Sequence, residues 1–404
     1  MLEKNRYQQH PTQIIPKPQT TREGPMTKKI LFCADGTWNS PQQDENQDQT
    51  PDTTNVYKLF LRLEGDLSTD SIRAADEQEK AWVQDGHTLQ VAKYIHGVGD
   101  SRNPILKIMV GAFGAGVISR IVRGYTFISR NHEPGDEITI VGFSRGAYTA
   151  RALAGLIVSQ GLLAPPLTQD REQAYRCGAQ AWYRYRRAAN QATLLAHLAE
   201  IVSDLPAFLS SLTLGDQDLV PVAGIACVGV WDTVGAMGFP EYASNGDRLD
   251  AFRFADTRLS PKVTQGFHAL ALDERREDFV PTLWEPAPNV TQVIFPGCHS
   301  DVGGGYPTTE RESGLSDGAL NWMVEGLQGR GVAFRSDSGL CLPDPAGTAH
   351  KPWLHGPWLI LPEGTRSFPE GMLLDRSVTA RLAAGPVIAD PGEDSAPYQP
   401  DNLP

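Results

Sequence analysis

The sequence contains no long uncharged apolar run and no excess of basic residues. Its 404 residues carry a formal charge of -12, which disfavours a general nucleic-acid-binding role because such proteins present a basic face. A membrane-spanning helix needs about 20 consecutive apolar residues, a signal peptide needs a shorter apolar core near the N-terminus, and neither pattern is present. We therefore expect synthesis as a soluble cytoplasmic protein, with export by a system that needs no cleavable signal as the open alternative.

Cysteine is scarce, and its spacing is not that of a structural site. The five cysteines are odd in number and widely separated, without a C-x-x-C pair: Cys33, Cys177, Cys227, Cys298 and Cys341. A disulfide framework or a zinc ribbon is therefore not expected, and a reducing compartment is the better interpretation. We expect no cofactor and no metal.

The composition divides the chain into three regions. Residues 1–26, rich in Gln, Pro, Thr and charge, are expected to be disordered. Residues 27–335 are expected to form a catalytic domain with a helix-rich insertion at about 164–222 that covers the site. Residues 336–404 are rich in Pro and Gly and predict an irregular extension that wraps the core and ends in a loose tail.

A dense basic cluster with interleaved aromatic residues lies in the insertion, at residues 175–190. The ordinary interpretation is the solvated face of an amphipathic helix, and we favour it over a site for phosphate or anionic lipid. Under the second interpretation, Arg184, Arg186 or Arg187 would attract an anionic headgroup.

Within residues 27–335, apolar runs typical of strands alternate with apolar runs typical of helices. Strands are predicted at 28–34, 91–99 and 137–143, at the start of 225–235, and at the start of 291–306, where a Gly-rich turn follows. Helices are predicted at 56–63, 105–130, 145–158, 263–276 and 316–328. This alternation is typical of the α/β class, and we expect an α/β-hydrolase-like fold with a mostly parallel sheet flanked by helices.

Ser144 lies between Gly142 and Gly146, in a G-x-S-x-G sequence that follows a predicted strand and begins a predicted helix. The ordinary alternative is a turn of small residues at the start of a helix. The order of strand, serine and helix favours the nucleophile elbow of α/β-hydrolases, in which a strained turn projects the serine oxygen at the carboxyl edge of the sheet.

Asp232 and His299 follow two later predicted strands, which gives the Ser, acid, His chain order of α/β-hydrolases. A serine hydroxyl needs a base to accept its proton, and the protonated imidazole needs an acid that orients and stabilises it. Two alternatives stay open: Asp232 caps its own turn, or His299 only bonds within its Gly-rich loop. Asp301 competes for the acid role, although an acid on a separate strand fits the chain order better. His268 is expected to be a supporting group on a helix rather than the base.

Backbone N–H groups are needed to stabilise the oxyanion that forms in acyl transfer. The N–H of Arg145, directly after the nucleophile, is the first candidate donor. The second is expected from the turn after the first strand, through Gly36 or Thr37. Cys298, beside the candidate base, is interpreted as a small buried residue that fills space.

Five segments, taken in order, resemble the motif series of the DUF2235 α/β-hydrolase family: FCADGTWN, GDEITIVGFSRGAYTARALAG, GVWDTVGA, HALALDERR and GCHSDVGGGY. The likeness extends from about Lys28 to Asn321, and the family includes the catalytic domain of Tle1-type phospholipase effectors of bacterial type VI secretion. The resemblance implies a triad at Ser144, Asp232 and His299 that hydrolyses lipid or small esters, with phospholipid acyl esters as the expected substrates. It also implies transient contact with a membrane surface and a secretion-system or immunity partner.

Two other functions compete with the esterase. A metal-dependent phosphoesterase could use the oxygen and nitrogen ligands of Asp35, Asp232, His299 and Asp301, although no tight ligand motif is present. A phosphatase of the haloacid dehalogenase type is excluded because Cys33 stands where the nucleophilic Asp is needed. A non-catalytic interaction protein on a hydrolase fold is the second alternative.

Overall fold

The computed structural model describes residues 27–36, 51–71, 77–96, 113–188, 214–234, 241–242, 248–249, 257–336, 341–360 and 362–404. The segment predicted to be disordered, 1–26, lies outside these residues. Thr37, the first part of the predicted helix 105–130 and the middle of the insertion, 189–213, also lie outside them.

Within the described residues, nine strands form one mixed sheet. The strands of the structure are β1 Lys29–Ala34, β2 Asp66–Leu67, β3 Glu77–Gln84, β4 His87–Ile95, β5 Glu137–Phe143, β6 Leu162–Leu163, β7 Leu219–Val220, β8 Ile225–Trp231, β9 Glu241–Tyr242, β10 Arg248–Leu249, β11 Val263–Ala271, β12 Val290–Phe295, β13 Leu373–Leu374, β14 Pro386–Val387 and β15 Ala396–Pro397. The order across the large sheet is β13-β12-β11-β8-β5-β1-β4-β3-β2. Neighbouring strands from β13 to β4 are parallel, and β3 and β2 continue the sheet in antiparallel pairing. The predicted α/β class with a mostly parallel sheet is confirmed.

Seven α-helices are described in the same part of the chain: α1 Asn55–Arg62, α2 Phe113–Asn131, α3 Arg145–Gln160, α4 Arg171–Ala188, α5 His299–Gly303, α6 Gly314–Gln328 and α7 Arg376–Ala383. Short 3-10 turns lie at Pro165–Thr168, Asp216–Asp218, Glu277–Phe279, Thr309–Arg311, Pro352–Leu354 and Gly356–Ile360. Helices α2, α3 and α4 cover one face of the sheet, and α1 and α6 cover the other.

The side chains of β1 alternate between the two faces of the sheet, and both faces are covered by helices. Ile30 and Phe32 point into the core beneath α2 and α3, and Leu31 and Cys33 point into the core beneath α1 and α6. Successive side chains of a strand face opposite sides, so a parallel strand covered on both sides is apolar at every position. This burial fixes the sheet, and the sheet brings the carboxyl ends of β1, β5 and β8 to one edge.

The helix predicted at 263–276 is wrong. Residues Val263–Ala271 form β11, which pairs with β8 on one side and with β12 on the other. A short apolar run does not distinguish a buried strand from a buried helix, and here hydrogen bonding on both sides of the strand decides between them. The two buried polar residues of this strand make side-chain hydrogen bonds: Gln265 donates to Thr291, and the ring of His268 bonds to Gln292.

The C-terminal region differs from the predicted irregular extension with a loose tail. Strand β13 pairs with β12 and adds the edge strand of the large sheet, while Val378 of α7 packs on Leu270 and Ile294. Asn402 donates to the carbonyl of Leu272 at 2.9 Å, so the last described residues are held against the end of β11. The residue boundaries of the catalytic domain and its insertion stay predictions.

Candidate active site

Ser144 lies on a strained turn between β5 and α3. Its backbone angles are φ 57° and ψ -119°, a region that residues with a side chain rarely adopt, so the predicted strand, serine and helix are joined by a sharp elbow. The backbone N–H of Ser144 donates to the carbonyl of Trp231 at 3.1 Å, which places the serine beside the end of β8. A Cβ atom on Gly146 would overlap the backbone oxygens of Ala34 and Asp35, so this close approach requires glycine.

Asp232 follows β8 directly and is completely buried. Its Oδ2 lies 2.5 Å from Nδ1 of His299, and its Oδ1 accepts from the backbone N–H of Ala271 at 3.0 Å. Burial alone would raise the pKa of Asp232, but the Arg366 guanidinium and the hydrogen bond from His299 hold that pKa well below its usual range. Asp232 is therefore ionised at neutral pH and able to stabilise a protonated imidazole.

His299 is the first residue of α5 and is packed between aromatic rings. The Phe143 ring lies 4.6 Å from its centroid, and the Phe279 ring lies edge-on at 5.0 Å. The backbone N–H of His299 donates to Oε2 of Glu274 at 3.1 Å. Burial lowers the pKa of His299 and the Asp232 carboxylate opposes this shift, with a net lowering. The ring is therefore neutral at pH 7, as a general base must be.

The structure joins two of the three predicted residues directly. Asp232 and His299 form a hydrogen-bonded pair, while among the described residues no hydrogen bond links the Ser144 hydroxyl to the His299 ring. Contacts of the neighbouring residues bring the serine to the same edge, since Phe143 packs on His299 and Ser144 bonds to the residue before Asp232. The contact through which Ser144 would lose its proton to His299 stays a prediction.

The two predicted oxyanion donors are placed differently. Arg145 is the first residue of α3, and the N–H at this position of a helix has no acceptor within the helix. The N–H of Gly36 donates at 2.7 Å to Oδ1 of Asp35, a buried carboxyl that also accepts from Tyr94 at 2.6 Å and from Thr54 at 2.8 Å. Burial raises the pKa of Asp35 to about 6 against the opposing effect of these bonds. The oxyanion roles of Arg145, Gly36 and Thr37 stay predictions.

Asp301, the competing acid, serves a different histidine. Its Oδ1 lies 2.7 Å from Nδ1 of His350, and its Oδ2 accepts from the backbone N–H groups of Cys298 and His350. In a helix, residues two apart do not face the same side, so Asp301 points away from the Asp232 side of α5. The acid in contact with His299 is Asp232.

The residues considered as metal ligands are held by other partners. Both carboxylate oxygens of Asp232 are bonded to the Arg366 cation, which competes with a metal for the same atoms. In the part of the chain that the structure describes, no group of three or more His, Cys, Asp or Glu side chains is placed to hold a metal ion. The arrangement of Asp35, Asp232, His299 and Asp301 does not fit a metal centre.

His268 supports the backbone beside Asp232. The Nε2 of this completely buried ring accepts from the N–H of Thr233 at 3.2 Å, and its Nδ1 lies 3.2 Å from Gln292 Oε1. Burial lowers the pKa of His268 to about 3, so the ring stays neutral. It is a strand residue rather than the predicted helix residue.

Sequence reasoning did not predict the contacts of the charged groups that surround the pair. Glu274 accepts from Arg276 through both carboxylate oxygens at 2.7 Å, and the Arg276 guanidinium stacks on the Phe279 ring at 3.6 Å. Burial would raise the pKa of Glu274, but Arg276 lowers it to about 2. Arg366 was also missed, because a single arginine 134 residues after Asp232 carries no local signal of its contact. The nearest hint for Glu274 and Arg276 was the motif HALALDERR.

Comparison with known proteins gives one family. Residues 28–326 match the family described as "T6SS, Phospholipase effector Tle1-like, catalytic domain". A curated relative, "Uncharacterized protein YEL023C" of Saccharomyces cerevisiae, is 27% identical over 280 residues, which cover 66% of this chain and 34% of the yeast protein. The chain therefore spans about a third of the length of that relative.

Two solved structures align with the chain at 17% identity each. "Structure of the Tle1 effector bound to the VgrG spike from the Type 6 secretion system" has a TM-score of 0.45 and covers 79% of this chain and 77% of that chain. An uncharacterised protein from Pseudomonas aeruginosa has a TM-score of 0.42 and covers 76% of this chain and 46% of that chain.

Among the described helices, none combines the length and the apolar character that crossing a bilayer requires.

Proposed function

Because the chain belongs to the Tle1-like catalytic-domain family of type VI secretion phospholipase effectors, we propose that it is a serine esterase acting on carboxylic esters, with phospholipid acyl esters as substrates. The observation that carries the proposal is the buried hydrogen bond of 2.5 Å between Asp232 and His299, at the same sheet edge as the strained Ser144. Strain of this kind at the carboxyl edge of a sheet is typical of a nucleophile elbow.

The reaction proceeds in two halves. Oγ of Ser144 attacks the ester carbonyl carbon while Nε2 of His299 takes the hydroxyl proton, and Asp232 stabilises the resulting imidazolium. The tetrahedral intermediate collapses as the C–O bond to the alcohol breaks, and His299 returns the proton to the leaving alcohol. Water then attacks the acyl-serine and loses a proton to His299. The bond between the acyl carbon and Oγ of Ser144 breaks, His299 returns the proton to Oγ, and the acid product leaves.

The oxyanion of each tetrahedral intermediate needs donors fixed before the reaction. The backbone N–H of Arg145, at the start of α3, is the first proposed donor, since the helix N-terminus also carries partial positive charge. The second proposed donor is the backbone N–H of Gly36 or of Thr37, and the Gly36 N–H would have to exchange its bond with Asp35 for one with the oxyanion.

The basic aromatic stretch of α4 is the proposed contact for an anionic headgroup. Arg184 donates to Asp216 at 2.7 Å and to the carbonyl of Leu214 at 2.9 Å, so part of its capacity is already used. Arg186 is 3% exposed and stacks on Trp182, with 5.5 Å between the guanidinium carbon and the ring. The side chain of Arg187 lies outside the described residues.

Family membership also supports delivery by type VI secretion, without a cleavable signal, and transient contact with a membrane surface. The corresponding partners are a component of the secretion apparatus and, in the producing cell, an immunity protein. Co-purification with such a component, tested with the full chain, is the measurement for this part of the proposal.

Labelling with a fluorophosphonate probe tests the nucleophile. An activated serine forms a covalent adduct with this electrophile, whereas an ordinary hydroxyl does not. Wild-type protein and the control variant Ser159→Ala, changed at an exposed serine near the end of α3, should label equally, and Ser144→Ala should not label. Undiminished labelling of Ser144→Ala would place the nucleophile elsewhere, and an unlabelled wild type that still binds a partner would favour the non-catalytic alternative.

A chain-length series of esters, with lipid mass spectrometry after incubation with mixed lipids, tests the substrate. An apolar acyl pocket gains roughly 0.8 kcal/mol for each buried methylene, so longer chains should bind better until the pocket is full. Attraction of an anionic headgroup by arginine should weaken at high salt. A steady preference for the shortest water-soluble esters, without phospholipid turnover at low or high salt, would reject the lipase assignment and leave the esterase mechanism standing.

A further inference from the structure

Arg366 lies beyond the matched range 28–326, yet its side chain contacts the candidate catalytic acid. Its Nη1 donates to Oδ1 of Asp232 at 2.8 Å, and its Nη2 donates to Oδ2 at 2.9 Å, so the guanidinium holds both carboxylate oxygens. The Arg366 side chain is 3% exposed, so water does not compete for this contact. A bidentate pair of this kind fixes the orientation of a carboxylate as well as its charge.

The same guanidinium holds the two segments on either side of the acid. Nη1 also donates to the carbonyl of Ala271 at 2.7 Å, at the end of β11, and Nη2 also donates to the carbonyl of Phe279. The Phe279 ring is the one that packs edge-on against His299. Arg366 therefore contacts both the partner of His299 Nδ1 and the backbone of the residue that packs against the imidazole.

The last residues of the chain hold Arg366 in this position. Nδ2 of Asn402 donates to the carbonyl of Arg366 at 3.1 Å and to the carbonyl of Leu272 at 2.9 Å, so one amide ties the two segments together. One residue earlier, Asp401 forms an ion pair of 3.1 Å with Arg275. Removal of residues 401–404 would take away the bond to the backbone of Arg366 and the ion pair with Arg275.

We propose that Arg366 is a positioning residue of the esterase, which fixes the carboxylate of Asp232 and moderates the attraction of that carboxylate for the protonated His299 ring. The inference rests on the proposed function of Ser144, Asp232 and His299. The proposal makes the C-terminal region, residues 336–404, part of the active site, although this region lies outside the matched family range.

The charges that face His299 determine in which direction the pH dependence of activity should shift when Arg366 is replaced. Asp232 and Glu274 favour the charged form of the ring, and Arg276 disfavours it, while Arg366 acts through the Asp232 carboxylate. Without Arg366, the buried carboxylate of Asp232 loses the cation that holds both of its oxygens, so protonation of the neighbouring His299 ring becomes easier. The reaction needs neutral His299 and ionised Asp232, and the acid limb of activity therefore moves to higher pH.

The primary experiment measures kcat/KM against pH for the wild type, Arg366→Gln and Arg366→Lys, with Arg381→Gln as the matched control. Arg381 is an equally buried arginine of the same C-terminal segment, and it donates to the carbonyls of Pro345, Gly347 and Ile388 rather than to the site. Arg366→Gln should lower kcat/KM at neutral pH at least tenfold and raise the acid limb by roughly one pH unit or more. Arg366→Lys keeps the charge and should shift the limb less, and Arg381→Gln should leave the limb unchanged.

Two further readouts separate positioning from a purely structural role. Millimolar guanidinium should restore part of the activity of Arg366→Ala by occupying the vacated place beside Asp232. In a Ser144→Ala background, titration of the His299 ring by NMR should show a higher pKa when Arg366→Gln is added. Neither effect is expected if Arg366 contributes only to folding.

An unchanged acid limb in Arg366→Gln, or an equal shift in Arg381→Gln, would overturn the proposal. If Arg366→Gln does not fold, Arg366→Lys decides: a lower kcat with the limb near the wild-type position supports the proposal, and unchanged kcat and limb refute it. Failure of the proposed function itself would appear as a wild type that fluorophosphonate does not label. In that case the His299 titration still tests the coupling with Arg366.

Discussion

Because His350 is buried against two carboxylates, we expect the protein to lose stability at alkaline pH, and we expect His350→Gln to remove this pH dependence. Its ring is 7% exposed and stacks on Tyr306, with Nδ1 lying 2.7 Å from Asp301 Oδ1 and Nε2 lying 3.3 Å from Glu312 Oε2. Burial alone would lower the pKa of His350, but the two carboxylates raise it from 6.5 to about 9. The imidazolium therefore ties the segment 341–360 to α5, the helix that begins with His299.

A pKa raised in the folded state stabilises the protein while the group is protonated. The full contribution is present below the unfolded value of 6.5 and is lost as the pH rises through about 9. At about 1.4 kcal/mol for each pH unit, the difference between the two values corresponds to about 3 kcal/mol of unfolding free energy.

Urea unfolding at pH 6 and at pH 9.5 measures this contribution. The free energy of unfolding of the wild type, minus that of His350→Gln, should fall by about 3 kcal/mol between these pH values. His355→Gln is the matched control, because the His355 side chain is 61% exposed although it also pairs with a carboxylate, Asp390. A wild-type advantage over His350→Gln that is the same at both pH values would refute the reasoning, as would an equal pH effect in the His355 control.

Three shorter predictions concern the site and its surroundings. Asp232→Asn should lower kcat by about 10⁴-fold, because the amide cannot stabilise the protonated His299 ring. It should also lower the unfolding free energy by about 3–5 kcal/mol, because Arg366 is left buried without its carboxylate, and wild-type kinetics would contradict the triad. Gly146→Ala should shift the elbow and lower esterase activity, because the backbone beside Gly146 cannot move away, whereas Gly318→Ala, on an open face of α6, should stabilise the protein by up to about 1 kcal/mol. Esterase assays and urea unfolding measure both variants, and similar behaviour of the two would argue against the close approach at Gly146. Native protein at pH 7 should alkylate slowly with iodoacetamide at all five cysteines, since burial raises every thiol pKa, and rapid labelling before denaturation would contradict this.

Local sequence was sufficient for the elbow and for most of the elements that support it. Gly142, Ser144 and Gly146 lie between a β-branched run and a run of helix formers, so both neighbours of the turn could be predicted from a short window. The strand at 263–271 could not be predicted in this way, because its short apolar run fits the period of a helix as well as that of a strand. Only the pairing with β8 and β12 distinguishes the two. The outcome there depended on hydrogen bonds to strands that are distant in the chain.

The sequence by itself determined the nucleophile candidate and the order of serine, acid and histidine, because strand ends in a parallel sheet meet at one edge. It left two acids for one histidine, and only the fold decided between them: the turn of α5 directs Asp301 to His350, while the end of β8 places Asp232 against His299. Arg366 shows the limit most clearly. Its contact with Asp232 joins residues 134 positions apart, and no local periodicity or motif encodes a separation that is set by the packing of the whole chain.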